Sequence, residues 1–528
     1  MRGYGPSSYE VIPYAPLVIA RSHPNSLATI ATLFGMTPPE VPRARVLELG
    51  CGVGANLVPM GAALPEGSFL GVDSSARQVA EGRATIEAAG LKNVELMQRD
   101  ITDVGPDLGT FDYIICHGVF SWVAPEVQPK ILAAIATNLA PGGVAYVSYN
   151  TYPGWHQRRV LRDAMLYHVD GDPDPREGVR KGRQALDFLV QLSWTPENHY
   201  LGMVAKQRAS ILEEDDSYLL HEFLEEANNP LYYHEFLEAA ATAGLMAVAD
   251  AEFPKNVCAT PPAVREALAR MSADRARQEQ YYDFWMGRSF RCTVLTHAGV
   301  RLLTEPSEAA VEGLQAAARV VPGSLPPGFL PAGREVETFR NWRDQIVTID
   351  HPVVKAAIVV LGEQYPCPVA FGDLWRAATA RLSDAGLPGT DYAAPERRRL
   401  AAFLLRSFGA GWLELHTYVA PFVREPGARP AATPLARHQA RSGVPVANLR
   451  HESSNLSRFD RHLLGLLDGR RTQGELVDAL DALVTAGTLA IRGGDPSQND
   501  PASRRAIVAE SLRQGLARLA AVALLVAG

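Results

Sequence analysis

The 528-residue sequence predicts an α/β chain: a parallel sheet with helices on both faces, a mostly helical middle and a final region of helices and short strands. The sheet is predicted from residues 45–149, where short β-branched or apolar runs alternate with helical stretches. The helical middle is predicted from residues 155–250, where Glu and Leu recur at helical spacing. At roughly 100–200 residues per domain, this length predicts about three to four domains.

Five segments of the first region have the composition of strands, namely residues 45–50, 68–73, 93–100, 111–118 and 143–149. All connections between them except the third have the length that a crossover helix needs. In an open parallel sheet, ligands bind beyond the carboxyl ends of the strands. The residues at those ends are therefore the candidates for a functional site.

Bulk composition limits the classes of function. The net charge of −7 argues against a partner such as bulk nucleic acid, which usually requires a basic surface. The five cysteines show no metal-ligand spacing, so neither a disulfide framework nor a zinc site is indicated; they are Cys51, Cys116, Cys258, Cys292 and Cys367. No apolar run reaches the ~18–20 residues that cross a bilayer, and no signal peptide pattern is present. We expect a cytoplasmic protein without a membrane partner.

A glycine-rich turn follows the first predicted strand. It runs Glu48-Leu-Gly50-Cys-Gly52-Val-Gly54. Glycine lets the chain turn tightly and lets the backbone approach a ligand more closely than a Cβ would permit. A nicotinamide-binding turn would more often have the pattern GxGxxG, whereas this chain has Ala55 at the last of those positions.

Acidic residues follow the next two strands. Asp73 lies about twenty residues after the glycines, the spacing at which a carboxylate accepts both hydroxyls of a ribose, and Ser74 is beside it. Asp100 and Ile101 end the third strand and suit the exocyclic amine and the apolar face of an adenine. We predict a nucleoside site at these strand ends; a glycine-rich turn without a cofactor is the alternative.

This order of motifs, with the later turn Pro141-Gly142-Gly143, resembles the class I S-adenosylmethionine-dependent methyltransferases. The resemblance implies a Rossmann-like domain with S-adenosylmethionine as cofactor. In that class, the end of the fourth strand lies against the methionine part of the cofactor, so we predict contacts from His117 and Gly118. We interpret Cys116 as a small buried residue and not as a nucleophile.

The fifth strand runs into an aromatic and polar stretch at residues 148–156. Aromatic faces attract a sulfonium or an ammonium, and apolar walls exclude water from the path of transfer. We predict that Tyr149, Asn150, Tyr152 and Trp155 line the site of an amine acceptor. The alternative is that Tyr152 and Trp155 anchor the following domain.

Two residues before the first strand are candidates for the roof of the cofactor pocket. Tyr14 and His23 precede the apolar-periodic helix at residues 26–36, and a helix at this place commonly closes over the cofactor. A buried structural role is the alternative for both.

The helical middle contains the near-duplicate pieces HEFLEEA (221–227) and HEFLEAA (234–240). We interpret them as parts of a lid or an interface. Neighbouring residues on a helix point apart, so their His-Glu pairs do not form a metal chelate.

A proline- and glycine-rich linker at residues 321–335 is the clearest boundary in the sequence. We predict a methyltransferase domain at 1–165, a helical regulatory domain at 166–320 and a winged-helix-like C-terminal domain at 336–528. The last prediction rests on helices followed by a short strand. Such a unit often serves as a docking module and need not bind DNA.

Over nearly its whole length the chain is similar to bacterial methyltransferases with a methyltransferase regulatory domain and a C-terminal winged-helix domain, such as the rickettsial protein-lysine methyltransferases. The motifs that carry this resemblance are Ser-His-Pro near the N-terminus, CHGVFSWV, SYNTYPGW, HEFLEEANNPLYYHEF, DFWMGRSFRCTVLTH and LLDGRRT. It implies methyl transfer to lysine side chains of a protein or peptide by a homodimer without metal. It does not identify the substrate.

Methyl transfer is an in-line displacement in which positioning and desolvation supply most of the rate effect. A lysine must first lose its proton, which burial promotes; if a base assists, His117 or His156 is the candidate. Two other hypotheses stay open. One is a methyltransferase of a small molecule or biosynthetic peptide that acts on oxygen, nitrogen or a carboxylate, and the other is a regulatory scaffold that binds the cofactor without turnover.

Overall fold

The computed structural model describes residues 3–5, 8–14, 17–191, 199–252, 260–322, 333–385, 394–490 and 501–527. Its central sheet consists of β1 (Arg45–Leu49), β2 (Ser68–Asp73), β3 (Val94–Gln98), β4 (Phe111–Cys116), β5 (Leu139–Asn150), β6 (Leu245–Asp250) and β7 (Phe290–His297). The strand order is β3-β2-β1-β4-β5-β7-β6. The pairs formed among β1 to β5 are parallel, and β7 runs antiparallel to both of its neighbours. The order reverses between β1 and β4, where a doubly wound sheet opens a crevice for ligands.

The five predicted strands are confirmed, but the sheet does not end with them. The sequence places residues 245–297 in the helical middle domain, whereas the structure pairs β7 with β5, with Arg291 opposite Tyr149. The predicted boundary at residue 165 therefore does not coincide with the edge of the sheet. Pairing between strands so far apart in the chain leaves no local sequence pattern.

Helices cover both faces of the sheet. Neighbouring residues of one strand point to opposite sides, and in these strands both sides carry apolar side chains that the helices bury. Val46 belongs to one hydrophobic cluster with Leu57 and Val79, whereas Leu47 belongs to another with Ile131 and Phe236. The flanking helices are Pro24–Leu33, Leu57–Ala63, Ala76–Ala89, Gln128–Asn138 and Tyr233–Thr242. In the third connection, the short 3₁₀ turns Ile101–Asp103 and Pro106–Leu108 replace a crossover helix.

The helical middle packs around its own apolar cluster, which includes Leu161, Met165 and Phe223. The helices around this cluster are Gly154–Val169, Pro175–Gln191, His199–Leu212 and Asp216–Leu219, with a π-helical turn at Leu220–Leu224. The helices Pro262–Met271 and Arg275–Met286 follow outside the cluster. The first near-duplicate piece thus leaves helical geometry after Leu224, whereas the second lies inside the helix Tyr233–Thr242. Within the described residues, no helix combines the length and the apolar character that crossing a membrane requires.

A buried cluster of charges joins the last two strands to the helix Arg275–Met286. The side chain of Arg291 on β7 is only 1% exposed. Its Nε and Nη2 donate to the two carboxylate oxygens of Asp283, each at 2.8 Å. Its Nη2 also reaches Glu279 Oε2 at 3.0 Å, and its Nη1 reaches Asp250 Oδ2 at 3.3 Å. One guanidinium thus compensates carboxylates from two separate elements.

Two small helical units with short strands follow the sheet. The first contains the strands Gln315–Ala317, Val369–Ala370 and Glu414–His416 and the helices Pro352–Gln364, Phe371–Asp384 and Ala394–Gly409. The second contains the helices Pro434–Ser442, Arg458–Leu466, Gln473–Thr485 and Pro501–Ala521 and the hairpin of Val446–Ala447 with Ser453–Ser454. This arrangement has the predicted fold class of a Rossmann-like domain, a helical middle and winged-helix-like C-terminal units.

Most of the predicted linker at 321–335 lies outside the described residues. The strands on either side of it, Val320–Pro322 and Glu337–Asn341, pair with each other in an antiparallel sheet that also includes Ile346–Ile349. The two ends of this segment therefore belong to one sheet and not to separate domains.

Candidate functional site

The turn after β1 depends on its glycines. Gly50, Gly52 and Gly54 have φ angles of +71°, +54° and +74°, a region that side chains disfavour. A Cβ on Gly50 would lie 2.4 Å from Val119 Cγ2, and one on Gly52 would lie 2.7 Å from Gln78 Oε1. The turn therefore has a backbone conformation and close side-chain contacts that glycine permits and a Cβ would disturb.

Asp73 holds the same turn from the end of β2. The Gly52 N–H donates to Asp73 Oδ2 at 2.8 Å, and the Ser75 N–H donates to Oδ1 at 2.9 Å. Each carboxylate oxygen has a second lone pair, so two further donors such as ribose hydroxyls can bind. The structure thus brings Asp73 and the glycines together, as the order of motifs predicts.

An open cavity of about 510 Å³ lies at the ends of β2 and β3, and it is lined by Ser74, Gln98, Arg99, Asp100 and Asp103. The backbone N–H and the hydroxyl of Thr102 donate to Asp100 Oδ1 at 2.8 and 2.7 Å, which lowers the pKa of that carboxyl. Ile101 is half-buried against the core. The structure therefore brings Ser74 and Asp100 to one cavity, next to Asp73.

Glu48, near the end of β1, is a buried carboxyl with incomplete hydrogen bonding. Its side chain is 4% exposed, and Oε1 accepts a hydrogen bond from Asn56 Nδ2 at 2.8 Å. Oε2 has no hydrogen-bond partner among the described residues. Burial raises the pKa of Glu48 to about 7. A buried carboxylate oxygen of this kind is a place for a cationic ligand group.

Sequence reasoning missed the residues behind Glu48. Asn56 Oδ1 accepts from the Ile19 N–H at 2.9 Å and lies 2.8 Å from Nε2 of His451, a residue of the C-terminal unit. The ring of His23 lies 5.0 Å from that of His451, and its Nδ1 accepts from the Asn25 N–H at the start of a helix. Burial lowers the pKa of His23 to about 3. The contacts of His23 are thus those of a buried neutral helix cap.

Tyr14 makes its contacts in the helical middle. Its ring lies 5.7 Å from that of His221, and burial raises the pKa of its hydroxyl. The structure groups Tyr14 with this region, where His221 Nδ1 bonds Glu225. No group of three or more His, Cys, Asp or Glu side chains is placed to hold a metal ion among the described residues.

His117 and Gly118 lie at the end of β4. The Gly118 N–H donates to Ser148 Oγ at 2.8 Å, and the residue is exposed with a φ of +67°. His117 Nδ1 lies 3.0 Å from the hydroxyl of Tyr146. Burial and the nearby Arg21 lower the pKa of His117 to about 3. The imidazole of His117 is therefore neutral at neutral pH.

The predicted acceptor residues divide between the core and a cavity. Tyr149 is 1% exposed, stacks on Phe236 with ring centroids 4.1 Å apart, and bonds Thr293 Oγ1 through its hydroxyl at 2.9 Å. These contacts belong to the core and not to an acceptor site. Asn150 is also buried, and its Nδ2 donates to Asn228 Oδ1 at 3.3 Å.

Tyr152 and Trp155 line a cavity of about 390 Å³. The other lining residues are Pro125, Gln128, Arg159, Arg162, Asp163, Glu226, Asn228, Asn229, Pro230 and Leu231. His156 stacks on Tyr152 at 4.1 Å, outside this lining, and its Nε2 lies 3.1 Å from the hydroxyl of Tyr232. The structure thus joins two of the predicted aromatic residues to the Asn-Asn-Pro-Leu motif, which sequence reasoning did not assign to a site.

Three family models match the chain. One described as a methyltransferase domain matches residues 46–143, and one described as a predicted methyltransferase regulatory domain matches 215–297. The third, described as the C-terminal winged helix domain of PKMT, matches 428–524. The second match includes β6 and β7, so residues of the regulatory domain complete the sheet.

The chain also resembles whole proteins. An uncharacterized protein of Rickettsia prowazekii (strain Madrid E) is 31% identical over 509 residues, which cover 94% of this chain and 90% of that protein. PKMT2 from Rickettsia typhi superposes with a TM-score of 0.86 at 27% identity, covering 97% of this chain and 100% of that one. Its complex with AdoHcy gives the same TM-score and identity, covering 98% and 100%. The likeness therefore extends through every region of the fold.

Proposed function

Because the chain belongs to the bacterial S-adenosylmethionine-dependent methyltransferases with a methyltransferase regulatory domain and a PKMT winged-helix domain, we propose that it methylates lysine side chains of a protein or peptide. The observation that carries this proposal is the match to PKMT2 over the full length of both chains. A shared catalytic domain alone would support only methyl transfer, whereas the shared C-terminal units support a related acceptor. On the same likeness, we propose a homodimer.

The residues around the glycine turn fit the cofactor. S-adenosylmethionine supplies an electrophilic methyl group on a sulfonium. Asp73 would hold the ribose, and Asp100 with Ile101 would hold the adenine at the open cavity. The buried Oε2 of Glu48, which lacks a hydrogen-bond partner among the described residues, would hold the α-ammonium.

The proposed role of Glu48 makes cofactor affinity dependent on pH. With a pKa raised to about 7, this carboxyl is about half protonated at neutral pH before the cofactor binds. Only the ionised form attracts the ammonium, so affinity is full above pH 7 and falls below it, by about tenfold per pH unit. Calorimetric titration with S-adenosylhomocysteine between about pH 5.5 and pH 8.5 measures this slope. The Glu48→Gln variant is the control, and an equal slope in both proteins would rule out Glu48 as the titrating group.

The residues that line the cavity beside Tyr152 are proposed to position the acceptor lysine and to exclude water from it. Tyr152 presents aromatic surface to the cavity, and Trp155 lies buried in its wall. The charged residues of the lining are two acids and two arginines, namely Asp163, Glu226, Arg159 and Arg162. Burial against apolar walls disfavours the charged amine and so promotes loss of its proton. A dedicated base is therefore not required.

The test is transfer of labelled methyl groups from S-adenosylmethionine to lysate proteins of the host bacterium. We expect label on protein, mapped by mass spectrometry to lysine. A second lysate, with its lysines acetylated beforehand, should take up little label, and the Asp73→Ala enzyme controls for background methylation. Label found only in small molecules, or on protein residues other than lysine, would contradict the proposal.

A further inference from the structure

A hairpin of the C-terminal unit ends next to the cofactor site. Its strands are Val446–Ala447 and Ser453–Ser454, and the turn between them is closed by Asn448. Asn448 Oδ1 accepts from the N–H groups of Arg450 and Glu452, both at 2.9 Å. The turn places His451 against Asn56, 395 positions earlier in the chain.

His451 has an unusual backbone conformation for its residue type. Its φ is +59°, in the left-handed region that favours Gly and Asn. Its side chain is also 3% exposed, so the imidazole is enclosed by protein. Unfavourable backbone conformations persist where the surrounding contacts over-determine them, and they are concentrated at functional sites.

The hydrogen bonds of Asn56 show that the imidazole of His451 donates a hydrogen bond to the Asn56 amide and helps to fix its orientation. The Ile19 N–H can only donate, so the Asn56 atom that it meets is Oδ1. His451 Nε2 meets the same oxygen and must therefore carry the proton. The amide nitrogen of Asn56 then donates to Glu48 Oε1 at 2.8 Å and to Ser22 Oγ at 3.0 Å. All four hydrogen-bonding positions of the amide are used, which fixes its orientation and that of the Glu48 carboxyl.

The neighbouring residue anchors the same turn to the unit that precedes it. Arg450 Nη2 donates to Glu414 Oε2 at 2.5 Å, and His416 Nε2 lies 3.1 Å from that oxygen. His416 Nδ1 in turn meets Asn25 Nδ2 at 2.8 Å, two residues from His23. The hairpin turn is thus bonded both to the cofactor domain and to the intervening unit.

We propose that His451 is a positioning residue for the cofactor, through which the C-terminal unit fixes Asn56 and, behind it, the Glu48 carboxyl. The proposal rests on the cofactor-site residues proposed above and not on the lysine specificity. A pre-oriented buried carboxylate binds a cation without the cost of reorganisation. Because coupling between binding sites is reciprocal, bound cofactor also stabilises the docked hairpin.

Two substitutions of His451 separate positioning from packing. His451→Asn tolerates the left-handed conformation, but its amide is too short to reach Asn56. His451→Gln places an amide nitrogen about as far from the backbone as the imidazole Nε2. We expect the dissociation constant for S-adenosylhomocysteine to rise about five- to tenfold in His451→Asn and to change less than about twofold in His451→Gln. The control is His438→Asn, at a half-buried histidine of the same unit whose Nε2 lies 3.5 Å from Ser442 Oγ.

Calorimetry measures the affinity, and thermal unfolding without ligand measures the fold. The unfolding midpoint of His451→Asn should stay close to that of the unchanged protein, because relief of the backbone strain offsets part of the lost hydrogen bond to Asn56. Native affinity in His451→Asn, or equal losses in the Asn and Gln variants, would overturn the inference. The Asp73→Ala variant distinguishes failure of the cofactor-site assignment from failure of the His451 inference. If Asp73→Ala also binds S-adenosylhomocysteine normally, both the site assignment and the inference are wrong. If Asp73→Ala loses binding while His451→Asn does not, the inference alone falls.

Discussion

Replacing Asp73 by alanine is expected to raise the dissociation constant for S-adenosylmethionine by about 100-fold or more while the chain stays folded. A hydrogen bond to a charged acceptor contributes about 1.5–3 kcal/mol, and the proposed ribose contact includes two. The substitution also leaves the N–H groups of Gly52 and Ser75 without their acceptor, so the glycine turn loses a restraint. Equilibrium binding of S-adenosylhomocysteine measures the effect.

Asp73→Asn should lose almost as much affinity. Both carboxylate oxygens accept a backbone N–H, so an amide NH2 at either position would face another donor. Asp373→Ala is the matched control, because that exposed carboxylate pairs with Arg376 on the helix Phe371–Asp384, and neither residue lines the cavity. Unchanged affinity in Asp73→Ala would refute the site assignment, whatever the activity of the variant.

Replacing Arg291 by leucine is expected to destabilise the sheet by about 3–5 kcal/mol. Removal of one partner from a buried ion cluster leaves the remaining charges less compensated. Asp283, which is 0% exposed, would lose both of its hydrogen bonds to Arg291, whereas Asp250 would keep its contact with Arg288 Nη2 at 3.0 Å. Hydrogen exchange followed by mass spectrometry should show loss of protection in β6, β7 and the helix Arg275–Met286 before the C-terminal units are affected.

The matched control for this prediction is Arg43→Leu. Arg43 pairs with Glu66 at 3.0 Å, but both side chains are largely exposed, and such pairs contribute at most about 1 kcal/mol. Arg291→Lys should fall between the two, because it keeps the charge but not the two parallel bonds to Asp283. Similar exchange rates in Arg291→Leu and Arg43→Leu would show that the cluster is not needed to hold the strands.

Much of the cofactor site was predictable because its determinants are local. Each strand end carries its own short pattern, and a parallel sheet places all the carboxyl ends of its strands at one edge. The structure brings Gly52 within hydrogen-bond distance of Asp73 and places Asp100 at the neighbouring cavity, whereas their roles as cofactor ligands stay a prediction. The acceptor residues were harder to predict, because Tyr149 and Tyr152 are both aromatic. Only their burial shows that the first belongs to the core and the second to a cavity.

The near-duplicate pieces show how tertiary contacts override local sequence. In the first, Tyr4 pairs through its backbone with Leu224 and Glu226, and Ser8 donates to Glu225 Oε1 at 2.5 Å, so the chain becomes extended. In the second, Glu235 accepts from the Tyr232 N–H at 2.8 Å, and the helix continues to Thr242. The shared run HEFLE therefore adopts two conformations, because among the described residues the first copy alone is bonded to the N-terminal segment.

The sequence by itself determined the sheet of β1 to β5, the glycine turn and the acids that follow two strands, since strand periodicity and strand-end motifs depend on residues close together in the chain. Only the tertiary structure decided that β6 and β7 complete this sheet and that His451 reaches Asn56. These contacts join segments about 50 to 400 residues apart, and their free energy comes from burial and pairing that exist only after the chain has packed.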